Sequence, residues 1–370
     1  MLSVRTTRND WKRRRSNSKQ LVSSDDSHTQ ARVDNGNVQL NPCASEPTSR
    51  LSPVIRHWLS QRHTSTSIAD ELQQPAKSRA TGLVCVAVFC GLLLSMFSQS
   101  GTAFAQEVSP EEAAAIREYR VAIAFQKKKL FAQAAVRWTQ FLQKHPKDKR
   151  LPSAHLNLGV CQFGDRKFPE AAAVFRDVLA KYGGFEQRDH AQFNLGMCHY
   201  NVSLALQDTA DAAKTEAEQK TAQAAAAVEF RKAAVEFDKL VKGFAKSVQL
   251  VDALFYQGEC LSLAGDLTAA VPVYDRIVKQ HAQAPQAVDA YYGLGIAYAE
   301  LAQHENAAKT FDEFVKKFPM DERLDECRLR HGAALTGLER HPDAEKLYQQ
   351  VQRVATSPYA EYALYQLALC

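Results

Sequence analysis

The stretch "KFPEAAAVFRDVLAKYGG", Lys167 to Gly184, decides the fold. Phe168, Ala171, Ala172, Phe175, Val178 and Leu179 recur at spacings of three and four, which puts them on one face of a helix. Gly183 and Gly184 end it. The pattern then returns along the chain. Trp138 lies 37 residues before Phe175, Phe237 lies 62 after it, and Tyr274, Phe311 and Tyr348 follow, each 37 further on. Four residues before each aromatic stands an alanine: Ala134, Ala171, Ala233, Ala270, Ala307 and Ala344. Sixteen residues before each, allowing for 25 inserted residues in one copy, stands a small residue: Ala122, Gly159, Gly196, Gly258, Gly295 and Gly332. Aromatics are 9% of the chain, so six in phase with six alanines and six small residues define a repeat.

Each unit reads as two helices, such as "VDAYYGLGIAYAELAQ" (Val288–Gln303) followed by "ENAAKTFDEFVKKFP" (Glu305–Pro319). The residue types follow from packing. The small residue and the alanine sit where two helices cross closely, and the aromatic fills the space beside the crossing. Three residues after the aromatic comes another apolar residue: Phe141, Val178, Leu240, Ile277, Phe314 or Val351. Pro146 and Pro319 follow second helices, where no helix must continue. One pair cannot bury its apolar face alone, but stacked pairs can. The predicted fold is all-α: a superhelical solenoid of antiparallel helix pairs, with six 37-residue repeats and a partial seventh, "YAEYALYQLALC" (Tyr359–Cys370).

The units resemble tetratricopeptide repeats, on the Gly/Ala, Ala and Phe/Tyr positions spaced 12 and 4 apart and on the closing prolines. The openings "AHLNLG", "AQFNLG", "ALFYQG" and "AYYGLG" are similar to the branch that includes the periplasmic coordinator of the Tol-Pal system and the outer-membrane assembly lipoprotein. Two features depart from the family pattern. Only Tyr291 supplies the aromatic common near the start of such repeats, and the units are longer than the usual length of about 34 residues. The resemblance implies a protein-binding array and leaves the partner open.

The chain divides into three parts. Residues 1–81 hold 13 Lys/Arg and 7 Asp/Glu, are rich in Ser, Thr, Asn and Gln, and show no sustained periodicity, so they are read as a disordered basic segment. Residues 82–105 contain an uncharged apolar run, Gly82–Phe97, and then Ala103-Phe104-Ala105. That pattern is a signal peptide cleaved after Ala105, or an uncleaved signal anchor. Either places the remainder across the cytoplasmic membrane, in the periplasm or cell envelope. Residues 106–370 form the repeat domain, with 33 basic and 34 acidic side chains, so net charge gives no case for nucleic acid. Membrane association is expected only through the leader.

The insertion, Asn201–Ala225, has no Gly or Pro and is rich in helix formers, so it extends both helices of the third unit, with a turn near Asp208–Asp211. It is read as a protruding hairpin or a partner-docking arm. Asn201-Val202-Ser203 matches a glycosylation acceptor within this helical stretch. The seventh unit's Tyr362, Leu364, Tyr365 and Leu367 give no polar outer face, which leaves truncation or a covering partner as alternatives.

Cys161, Cys198 and Cys260 share one repeat position, two after the small residue, and are read as small packing residues. Neighbouring repeats hold such positions about 10 Å apart, too far for a disulfide. No histidine pair has zinc-ligand spacing, and no phosphate loop, nucleophile elbow or CxxC is present. The sequence gives no catalytic residue, metal or cofactor, and the protein is not expected to be an enzyme. What remains is recognition. Tyr119, Leu156, Phe193, Phe255 and Tyr292 stand three before the small residue, Met197 and Glu259 one after it, and Tyr200 four after it. They share a side of the first helix and are candidate groove residues for a peptide or a helix. Asp252, Asp289 and Glu326, six before the small residue, are a candidate acidic strip. The expected function is an exported or membrane-anchored interaction scaffold. The alternatives are a docking part of a larger envelope enzyme or transport assembly, and a cytosolic co-chaperone.

Overall fold

The computed structural model describes residues 109–370, so the segments read as basic tail and leader, 1–81 and 82–105, lie outside the described residues. Thirteen helices and no strand occur among the described residues. First helices of the units are α1 (Pro110–Lys127), α3 (Leu151–Gly164), α5 (Arg188–Ala212), α7 (Leu250–Leu263), α9 (Ala287–Glu300), α11 (Leu324–Gly337) and α13 (Ala360–Leu369). Second helices are α2 (Phe131–Lys144), α4 (Phe168–Lys181), α6 (Glu216–Gly243), α8 (Leu267–Gln280), α10 (His304–Lys317) and α12 (His341–Gln352). Each helix packs on its neighbours in the chain. Beyond consecutive helices, the substantial approaches are α3 with α5 and α7 with α9, both between first helices of adjacent units.

The three phase markers build the core. The six alanines and all six apolar residues that follow the aromatics are fully buried. In the five units with a glycine at the small position, the aromatic of the same unit lies directly on it. A Cβ added to Gly159 would stand 2.6 Å from the Phe175 ring, one on Gly258 2.7 Å from Tyr274, and one on Gly295 2.6 Å from Phe311. Real Cβ contacts are not that short, so the absent side chain is what lets the ring sit there.

The turn within each ordinary unit has its own repeat. Lys129, Arg166, Gly265, Ala302 and Glu339 all adopt positive φ, between 55° and 84°. Around each, two backbone hydrogen bonds close the first helix: Ala302 N–H donates to Ala299 C=O (3.0 Å) and Gln303 N–H to Tyr298 C=O (2.9 Å). This is the Schellman closure, which satisfies carbonyls that the helix end leaves orphaned. Only one of the five is glycine.

The insertion does extend α5 and α6, but their turn falls at Ala213–Thr215, beyond Asp208–Asp211. A capping box sets that place: Glu218 N–H donates to Thr215 Oγ1 (3.2 Å), and Thr215 N–H donates to the Glu218 carboxylate (3.1 Å). Ser203 lies mid-helix, fully buried, with its hydroxyl donating to the His199 carbonyl, so the acceptor-like triplet has no free hydroxyl. Pro272 sits inside α8 with its ring exposed, where it removes one helical hydrogen bond.

Candidate functional site

The first-helix side of the array holds all eight candidate groove residues, and the structure divides them. Leu156, Phe193, Tyr200 and Phe255 are buried. Phe193 meets Phe237 (ring centroids 5.6 Å) and Tyr256 (6.0 Å), and Tyr200 meets Phe230 (5.9 Å) and Tyr256 (5.3 Å). Tyr256 belongs to the next unit, so these rings lie between units and are not open to a ligand. Tyr119, Met197, Glu259 and Tyr292 are half-buried. Tyr119 stacks edge-on against Trp138 at 4.8 Å, under the Arg150 guanidinium at 5.4 Å. Tyr256 escaped the sequence reading because it occupies the place of Asn157 and Asn194 in other units, which hides its aromatic role.

The acidic strip is corrected by the structure. Its carboxylates are joints between units. Gln286 Nε2 donates to Asp252 (2.6 Å), Arg323 Nη1 to Asp289 (2.8 Å), and Tyr359 Oη to Glu326 (3.1 Å). Each donor stands just before or at the start of the following unit's first helix. Glu326, itself buried, also accepts from Tyr292 Oη (2.8 Å) and Arg330 Nε (2.9 Å). Burial and the Glu326 carboxylate push the Tyr292 hydroxyl above its ordinary range. Arg323 is held between Asp289 and Asp321 and over the Tyr292 ring at 5.1 Å. Burial opposes its charge, yet the two carboxylates keep it protonated above its usual range.

Glu259 differs from these. Burial, and then the Asp289 charge, push its carboxyl up to about 7, while the Tyr274 hydroxyl, donating at 3.4 Å, partly offsets the rise. A carboxylate in this state gains from any cation brought alongside it. The five cysteines among the described residues are free, and Cys161, Cys198, Cys260 and Cys327 are buried. Burial drives Cys161 and Cys198 up to about 12, which leaves them as unreactive packing groups. Among the described residues no three metal-binding side chains come together.

Stacked helix pairs with a shared small-residue and aromatic phase define a helical-repeat solenoid, a class of protein that presents surface rather than an enclosed pocket. Residues 119–186, 217–285 and 264–322 match the tetratricopeptide-repeat family model, so these segments are tetratricopeptide repeats. Proteins of this family mediate protein–protein interactions. Similar solved structures include MamA from Desulfovibrio magneticus RS-1, at 17% identity over 56% of this chain and 96% of that one (TM-score 0.40). YrrB, described as a TPR protein with an unusual peptide-binding site, is 19% identical over 63% and 99% of the two chains (TM-score 0.41). PilF of Pseudomonas aeruginosa is 11% identical over 70% and 100% (TM-score 0.43). Comparison with curated proteins gives no match.

Proposed function

We propose that the protein is an exported scaffold of the cell envelope whose first-helix layer binds peptide or helical segments of partner proteins. The export reading rests on the leader pattern of 82–105, and the envelope setting on the resemblance of the unit openings to the Tol-Pal and outer-membrane assembly branch. One observation carries the binding reading. Glu259 is half-buried on the first-helix side with its carboxyl raised to about 7, and among the described residues it accepts a hydrogen bond from Tyr274 alone, at 3.4 Å. Unlike Asp252, Asp289 and Glu326, it accepts no hydrogen bond from the following unit among the described residues. A basic side chain of a partner supplies the missing charge, with Met197 as apolar contact on the preceding first helix.

The test is selection of peptides on the full-length protein from a random display library, followed by titration of the enriched peptides. Peptides with a Lys or Arg flanked by apolar residues are expected. Glu259→Gln and Met197→Ser should each weaken them roughly tenfold, as loss of one charge-assisted contact or one apolar anchor does. Unchanged affinity in both variants contradicts the assignment. Mature protein beginning near Gln106 supports export, and an intact leader on cytosolic protein opposes it.

A further inference from the structure

The array is electrically lopsided. Residues 106–186 hold 14 Lys/Arg and 9 Asp/Glu, whereas residues 187–370 hold 19 and 25. The excess of cations gathers in the first unit. Arg117, Arg120, Val121 and Ala124 of α1, with Lys128 at its C-cap, follow the spacing of one helix face, and all five are exposed. Lys127 and Lys129 extend this cationic edge around the turn. On α2, Arg137 is exposed beside Val136, and its guanidinium reaches back to α1, over the Phe125 ring at 5.6 Å. Glu118, which follows Arg117 on α1, is taken by Lys144 (3.1 Å) and His145 (3.2 Å). Aliphatic side chains are studded among the cations: Val121 is 40% exposed, Leu130 41% and Val136 56%. They do not serve the core, which Ala122, Trp138 and Phe141 fill.

We propose that this face of the first unit, spanning residues 117–137, docks on an anionic phospholipid surface. The chemistry fits a bilayer better than a protein or a nucleic acid. Exposed lysines such as Lys128 and Lys129 carry compact point charges on flexible stems, suited to a diffuse anionic surface. Exposed valines and a leucine among them can enter the headgroup boundary, and nucleic acid offers no counterpart to them. Charge and apolar contact together form the two-signal pattern of peripheral membrane binding. The sequence adds continuity. Only 12 residues separate Phe97, the end of the apolar run, from Pro110, the start of α1. Such a link spans at most about 40 Å, so a leader retained in a bilayer holds this face close to it. The inference is independent of the peptide groove, which involves α5 and α7.

Lysine acylation footprinting of the full-length chain tests it. Vesicles with about 30% phosphatidylglycerol in phosphatidylcholine should lower labelling of Lys127, Lys128 and Lys129 roughly fivefold, and about 0.5 M salt should restore it. Lys279 and Lys316, on distant second helices, should label equally throughout. The triple variant Arg117→Gln, Arg120→Gln, Val121→Ser changes only exposed groups and should remove most of the protection of Lys128. Protection that is absent, equal with pure phosphatidylcholine, or given instead by a DNA duplex or an acidic protein overturns the proposal.

Discussion

Cε1 of Phe311 sits where a side chain on Gly295 would begin, 2.6 Å from the place of its Cβ. Phe311 is fully buried, so its ring yields only by displacing its neighbours. Gly295→Ala should therefore destabilise the protein by about 1–3 kcal/mol through overpacking. The sign is the reverse of the gain of about 0.5–1 kcal/mol that Gly→Ala gives at an open helical position. Urea unfolding measures it, and Phe311→Leu in the same chain should recover part of the loss. The first unit carries Ala122 at this position and shares its core with Trp138, so the coupling belongs to each particular pair.

The left-handed turn position makes an opposite prediction for glycine. Ala302 stands at φ 55° and Glu339 at φ 61°. A side chain at such φ costs roughly 1–2 kcal/mol, and glycine gives back part of this relief through greater freedom in the unfolded chain. Ala302→Gly and Glu339→Gly should each raise the urea midpoint. Gly265→Ala, at φ 84°, should lower it.

Across the α9–α11 boundary, the Arg323–Asp289 contact should be energetically coupled. The Arg323 side chain is 7% exposed and Asp289 15%, so removing one partner strands a mostly desolvated charge. Arg323→Ala should cost about 2–4 kcal/mol. In a double-mutant cycle with Asp289→Ala, the two losses should sum to clearly more than the loss in the double variant. Simple additivity argues against the joint.

Glu259 predicts a pH dependence. Its folded-state carboxyl titrates near 7, above its ordinary value, so its neutral form is the one the fold prefers. The stability it contributes is present below about pH 4.5 and is lost as pH rises through 7. Glu259→Gln should match the wild type near pH 4.5 and exceed it in urea midpoint near pH 8. A bound cationic peptide should invert the trend, binding the wild type more tightly as pH rises through about 7.

The parts of this fold written in side-chain volume could be read from the sequence. A small residue that must accept a ring, and a ring that must find it, leave a small residue and an aromatic 16 apart in every copy, once the insertion is set aside. The parts written in backbone geometry or shared polar roles could not. The left-handed turn is filled by Lys, Arg, Gly, Ala and Glu, because the Schellman closure uses only main-chain groups. The joints between units use Gln286, Arg323 and Tyr359 for one task, so no residue type marks the position. The acids they bind then look in the sequence like an open strip. The candidate groove was half legible for a related reason. Spacing puts Phe193 and Met197 on one helix side, but only the neighbouring unit, through Tyr256, decides that Phe193 is covered. The cationic end of the first unit was hidden by the near-neutral balance of the whole domain.

The first-helix layer as the binding surface is tested most directly by site-specific photo-crosslinking in cells. A benzophenone amino acid replaces Met197, on α5, in one chain and the exposed Val235, on α6, in another. Discrete protein adducts are expected from position 197, diminished by Glu259→Gln, and none of comparable yield from position 235. Adducts of equal yield from both positions, or from 235 alone, would contradict it.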